Sequence, residues 1–311
     1  MAQADTKLSI KVSIEKFQKG NLTDNSLSLF KTLGYNTERQ QPFEKKNYDH
    51  FKELYLDNDT RFNEEKALVS HWSYIDLLFQ LSTDEINLQH GLFDTKQVDQ
   101  TIIEAYLFFT IELSAESYNR SDLGQITREI NKVFSMPVMV LFKHDNLLTL
   151  SAINRRKHKL DAQKDILKKV TLIKGISITE PHRAHIETLF DLSFDELLRV
   201  HKFNNFVELH NAWQKTLDIK ELNKRFYKEL SIWYFWAMRN VYFPDASPDA
   251  DNKGLFQKEG KVREHNAKNL ILLLTRILFV WFTKEKNLIP DELFDESFIK
   301  NNLLKIFSLP R

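Results

Sequence analysis

Two different periods of apolar residues run along this chain. Leu27, Leu29, Phe30 and Leu33 make a short apolar face that ends at Gly34, which predicts a helix closed by a glycine C-cap. The charged stretch Glu44–Asp59 reads as a surface connection, anchored by Phe51, Leu54 and Tyr55. From Asn63, an acceptable N-cap, Leu68, Trp72, Ile75 and Phe79 recur at spacings of four, three and four, which predicts a second helix. The period then changes. Over Ile102–Leu113, Tyr106, Phe108, Thr110 and Glu112 share one face and Leu107, Phe109, Ile111 and Leu113 the other, as in a strand covered on both sides. Asp122 with Gln125 three positions on reads as a capping-box start for the stripe Leu123, Ile126, Ile130 and Val133, which Pro137 stops. Val138–Phe142 and Leu147–Ile153 are strands joined through His144-Asp145-Asn146, and Val170–Ile178 is a further strand with Gly175 as a bulge. Strand, helix, hairpin and strand together predict an α+β domain, a mixed sheet with flanking helices, over residues 1–180.

Beyond Pro181 the strand signal disappears. His185–Val200, Asn205–Thr216, Asp218–Asn240 and Lys261–Asn287 all read as helices, so residues 181–311 form an all-helical segment. Ile219, Leu222, Phe226, Leu230 and Trp233 mark a continuous face in the third of these. Trp233-Tyr234-Phe235-Trp236 covers every side of that helix, so at least half of these rings belong to a core or an interface. Leu270–Phe282, interrupted by Thr275 and Arg276, falls short of the roughly 20 apolar residues a bilayer span needs and reads as a buried helix. Pro244–Gly260 is the most loop-like stretch.

Composition narrows the chemistry. The 311 residues include no cysteine, which excludes disulfides, thiolate nucleophiles and zinc–thiolate sites. Only 7 are glycine, and no two stand in a G-x-G arrangement, so a dinucleotide fingerprint and a phosphate-cradling P-loop are absent. The start of the chain lacks the apolar core of a signal peptide, which predicts a cytoplasmic protein with no membrane partner. With 44 basic and 43 acidic residues, any argument for nucleic acid must be local.

Such a local signal exists between Arg155 and Lys174. Arg155, Arg156, Lys157, Lys159, Lys164, Lys168, Lys169 and Lys174 oppose only Asp161 and Asp165. This density attracts phosphate oxygens without reading sequence; the plain alternative is a solvated loop and helix face. Glu112, near the end of a buried strand and followed by a helix and another strand, suits the metal-binding constellation of PD-(D/E)xK nucleases, in which two carboxylates hold a divalent ion such as Mg and a lysine assists the attacking water. The lysine is missing at its usual place, because Leu113-Ser114 follows, and Asp94, Asp99 and Glu104 are open choices for the upstream acid. His182-Arg183-Ala184-His185 has H-x-x-H spacing but no neighbouring cysteine or placed carboxylate, so no metal site is expected there.

Several segments taken together resemble a known family. Asn154-Arg155-Arg156, Lys168-Lys169-Val170-Thr171-Leu172-Ile173-Lys174, Pro181-His182-Arg183-Ala184-His185-Ile186, Phe226-Tyr227-Lys228-Glu229-Leu230 and Trp233-Tyr234-Phe235-Trp236 are similar to the front part of type IIG-like restriction–modification adenine-specific DNA methyltransferases. The resemblance is strongest over Leu274–Pro290 and covers roughly Leu123–Phe294. It implies a restriction-endonuclease-like domain over 1–180 and a helical connector over 181–311 preceding a methyltransferase domain. The family's S-adenosylmethionine loop and N-P-P-Y motif do not occur, so this stretch is expected to hold no cofactor and no methylating activity of its own. Double-stranded DNA and the methyltransferase domain of the same polypeptide are the implied partners, with Arg155, Arg156, Lys157, Lys159, Lys168 and Lys169 on DNA phosphates. An active endonuclease using Glu112, or an interaction module without DNA contact, are the alternatives.

Overall fold

A computed structural model describes residues 2–56, 60–87, 98, 104–157, 165–243, 255–285, 288–294 and 298–303, with only the backbone described at 2, 154–157, 165–168, 219–223, 225, 255–262, 285, 291 and 303. The chain divides into two compact units, Met1–Glu221 and Leu222–Arg311.

The first unit is α+β. Among the described residues it has five strands, β1 (Trp72–Ser82), β2 (Ala105–Leu113), β3 (Val138–His144), β4 (Leu147–Lys157) and β5 (Asp165–Ser177), which form one sheet in sequence order. Only β2 and β3 run parallel; the other neighbours are antiparallel. Parallel pairing demands a crossover, and α5 (Arg120–Val133) supplies it between β2 and β3. Its N-terminus is closed by Asn119, whose side chain takes the Asp122 N–H while the Asp122 carboxylate takes the Asn119 N–H, so the capping box begins three residues earlier than the sequence suggests.

Both faces of the sheet are covered. On one side α1 (Ala2–Glu15), α2 (Leu22–Thr32), α6 (Arg183–Asp191), α7 (Phe194–His201) and α8 (Phe206–Thr216) share a core with Phe79, Tyr106, Phe108, Leu141 and Leu150. On the other side α3 (Tyr48–Tyr55) and α5 pack on Ile75, Leu107, Phe109, Ile111 and Val140. The division of β2 into two apolar faces follows the alternation in its sequence. Gly34 closes α2 as predicted. Its φ of +84° lets its own N–H reach Lys31 O and the Tyr35 N–H reach Phe30 O, a Schellman turn. Asp145, at φ +44°, turns the chain between β3 and β4.

Three expectations are corrected. The helix expected from Asn63 through Phe79 is a turn followed by β1. Trp72–Leu81 is apolar toward both layers, and a short run of that kind cannot be separated from a buried helix by spacing alone. The single helix over His185–Val200 is two, broken at Leu192-Ser193, where the Ser193 hydroxyl donates to Phe190 O and the Tyr35 hydroxyl donates to Leu192 O. Of the loop expected over Pro244–Gly260, Leu255–Gly260 begins α10 and the rest lies outside the described residues.

Strand β1 stands at the edge of the sheet, and the segment 39–46 covers it. Gln80 N–H donates to Arg39 O at 2.9 Å, Ile75 N–H to Lys46 O at 3.2 Å, and Phe43 N–H to Asp76 Oδ1 at 2.8 Å. This satisfies backbone groups that an open edge would present to other chains. Arg39 and Glu85 of the short α4 (Thr83–Asn87), both buried, pin the cover to the end of β1 through a 2.7 Å ion pair, and Glu85 also accepts the Ser82 N–H at 2.8 Å.

In the second unit α9 (Ile219–Asn240) and α10 (Leu255–Glu285) are joined at one end by Asn266. Its Nδ2 donates to Val241 O at 3.1 Å and its Oδ1 accepts the Phe243 N–H, so a buried amide satisfies backbone groups just beyond α9. Ala237 and Leu270 are buried, but Leu270–Phe282 is not the buried helix expected within the chain, and of Trp233–Trp236 most are exposed rather than in a core, which leaves the interface alternative for these rings. Phe279 is 65% exposed and Phe235 64%, and Trp233, Trp236, Ile277, Trp281 and Phe282 are also exposed. One helix contact can cover one stripe of each partner, whereas apolar side chains occupy the whole circumference of α10 here. By length and composition alone, Arg263–Lys284 is long and apolar enough to cross a membrane.

Candidate functional site

The sheet gathers a polar cluster on the face covered by α2, at the end of β2. Glu112 lies opposite Tyr74 of β1 and beside Lys143 of β3, and Asp76 lies opposite Thr110. Partners in register point to the same side, so Asp76 and Glu112 stand diagonally on one face, at a Cα separation of about 7–8 Å. Among the described residues, Asp76 is the carboxylate that the register places beside Glu112 on this face. Glu104 is exposed before β2, and Asp94 and Asp99 lie outside the described residues. The sequence signal for Asp76 was its place two residues from Tyr74 in an alternating run, hidden by the helical reading of that segment.

Each carboxylate already has its cation. Asp76, fully buried, accepts from the Thr23 hydroxyl at 2.6 Å, Lys46 Nζ at 2.6 Å and Phe43 N–H at 2.8 Å. Thr23 is placed by the first turn of α2, whose N-cap Asn21 takes the N–H groups of Thr23 and Asp24. The Tyr74 hydroxyl bonds Thr23 at 2.8 Å. Glu112 is ion-paired to Lys143, so the lysine absent two residues after Glu112 in sequence arrives from the neighbouring strand. Thr110 fills the position between the acids and donates to Leu141 O, with the Ser26 hydroxyl donating to it. Two carboxylates and two ammonium groups leave the cluster neutral. A divalent ion would have to displace both lysines, and three donors already occupy the Asp76 oxygens. Among the described residues no group of three or more His, Asp or Glu side chains is placed to hold a metal.

Next to this cluster, past the ends of β2 and β3, the loop before α5 is fastened by rings. The Tyr118 hydroxyl accepts the Ala115 N–H at 2.9 Å and bonds His71 Nδ1 at 3.0 Å. His144 Nδ1 donates to Glu116 O at 3.0 Å, its Nε2 is buried without a protein partner, and burial lowers its pKa. His182 Nδ1 caps α6 by accepting the Ala184 N–H, and burial first, then the charge on His182, lowers the His185 pKa.

The basic residues lie on the β4–β5 hairpin. Arg155, Arg156 and Lys157 are on β4 opposite Leu167, Ile166 and Asp165, and Lys169 pairs with Asn154. Lys168 is in β5 as well, Lys169 is exposed, and Lys159 and Lys164 lie outside the described residues. What the sequence read as a loop and helix face around Asp165–Lys169 is strand. Comparison with protein families, with curated proteins and with solved structures finds no match to this chain.

Proposed function

We propose that this chain is the DNA-associated N-terminal region of a restriction–modification adenine-specific DNA methyltransferase, without catalytic activity by itself. The observation that carries the non-catalytic part is the neutralised cluster. Asp76 accepts from Thr23, Lys46 and Phe43, and Glu112 is paired with Lys143, so a metal bound between the two acids would have to break these contacts. A mixed sheet with acids on adjacent strands supports a restriction-endonuclease-like ancestry whose metal site has been replaced by lysines.

DNA association rests on the charge of the β4–β5 hairpin, since phosphate contacts need only density of cationic groups. The exposed rings and aliphatic side chains of α9 and α10 suit a large apolar partner surface, and the methyltransferase domain of the same polypeptide is the partner this reading assigns to them. S-adenosylmethionine belongs to that domain.

Incubating the chain with supercoiled plasmid and Mg or Mn, beside an Glu112→Ala control, tests the reading. No cutting is expected from either protein. Cutting that the substitution abolishes would establish an endonuclease instead. Failure of the folded chain to bind duplex DNA at low salt would favour an interaction module without DNA contact.

A further inference from the structure

The β4–β5 hairpin is longer than the sheet that carries it. Strand β3 pairs with β4 only through Leu147–Ser151, whereas β4 continues to Lys157 and remains paired with β5 down to Asp165. Among the described residues no third strand pairs with Asn154–Lys157, so this end of the hairpin is a two-stranded ribbon reaching about 13 Å past Ile153, four residues at roughly 3.3 Å each. Its two strands, Asn154–Lys157 and Asp165–Lys169, hold Arg155, Arg156, Lys157, Lys168 and Lys169 against the single acid Asp165. The body of the sheet is different. Its strands are apolar on both faces, and the opposite edge is sealed by the 39–46 segment.

We infer that this ribbon enters the major groove of double-stranded DNA. The inference rests on the DNA reading above and adds the element and the groove. Paired strands lie about 4.8 Å apart, and a ribbon of that width with its side chains fits the roughly 12 Å wide major groove of B-form DNA. The minor groove, at about 6 Å, takes a two-stranded ribbon only where the duplex is bent and widened, which costs deformation energy that the major groove does not ask for. The deep, narrow major groove of an RNA duplex excludes the ribbon. A ribbon seated there would bring the cationic positions of both strands alongside the phosphates that line the DNA major groove, with their spacing along the ribbon set by the backbone register. An acidic protein surface would answer the same charge, but gives no role to a projection with the width of a groove.

The test uses the full chain and a Arg155→Gln/Arg156→Gln/Lys168→Gln/Lys169→Gln variant. Binding of a 25-base-pair DNA duplex and of the matching RNA duplex is followed by fluorescence anisotropy across a salt series. Dimethyl sulfate, which methylates guanine N7 in the major groove, footprints the DNA complex of the unsubstituted chain. Expected are protection of N7, at least tenfold weaker binding of the RNA duplex, and a salt slope that falls by about 3–4 in the variant, roughly 0.9 per lost phosphate contact. Unprotected N7, equal affinity for RNA, or an unchanged slope in a variant with a native circular dichroism spectrum overturns groove insertion and leaves DNA association standing. Absence of any duplex binding by the folded chain, with capture by a polyglutamate peptide, overturns both. The footprint needs no substitution, so it decides the matter even if the variant does not fold.

Discussion

Replacing Asp76 by alanine should destabilise the first unit severely, because this carboxylate joins α2, the covering segment and β1. The loss can be built up from its three partners. Phe43 N–H would be left buried without an acceptor, at about 1–3 kcal/mol. Thr23 keeps the Tyr74 hydroxyl at 2.8 Å, so its share is small. Lys46 is 28% exposed and regains water, which places the broken ion pair at the low end of the roughly 3–5 kcal/mol seen for buried pairs. The sum is about 4–6 kcal/mol, and for a unit of this size each kcal/mol lowers Tm by about 2–4 °C, so a fall of about 8–24 °C is expected. Asp76→Asn retains the acceptor for Phe43 and should lose about 2 kcal/mol. Urea and thermal denaturation followed by circular dichroism measure both. A Tm for Asp76→Ala within 2 °C of the parent would refute the account of Asp76 as a buried tie. A second sign is also specific: Mg should not raise the Tm of the parent, whereas a metal-ligating Asp76 would give a Mg-dependent rise that the substitution abolishes.

Two further outcomes can be checked. Burial lowers the pKa of His144, His185 and His210, so these rings stay neutral in the folded chain while the unfolded chain protonates them near pH 6.5. The unfolded state then binds more protons below that pH, and the stability present above pH 6.5 is lost as pH falls from there toward 5. Glu85, which burial would raise but Ser82 and Arg39 hold low, adds its loss only below the ordinary carboxylate range, so the two windows separate. A Tm that stays flat between pH 7.5 and 5 would contradict this assignment. Gly34→Ala should cost about 1–2 kcal/mol, since φ is +84° and the new Cβ would stand 3.3 Å from Phe194 Cβ. Equal urea midpoints for parent and variant would show that the Schellman turn relaxes without strain.

The pattern of residues was enough to determine β2, α5, the β3–β4 hairpin and the glycine stop of α2. In each case a local rule acts alone: alternation for a doubly covered strand, a stripe with a capped start, a short turn between β-rich runs, a positive φ that glycine adopts freely. The basic cluster was equally plain, because charge density is a property of composition. Strand β1 was not, since the same apolar spacing satisfies a helix until a sheet is present to bury both its faces. The cluster around Glu112 depended on this. Asp76 is 36 positions away along the chain and Lys143 is 31, and only the register of β1, β2 and β3 makes them neighbours. Burial of α10 was misjudged for a related reason: apolar character states what a helix would gain from a cover, while the presence of a cover is a fact about other parts of the molecule. Sequence thus determined which residues could act and the local elements that hold them. Tertiary structure alone decided which charges meet, that both acids are already neutralised, and that the basic strands project as a ribbon, because pairing across strands is set by the assembled sheet rather than by separation along the chain.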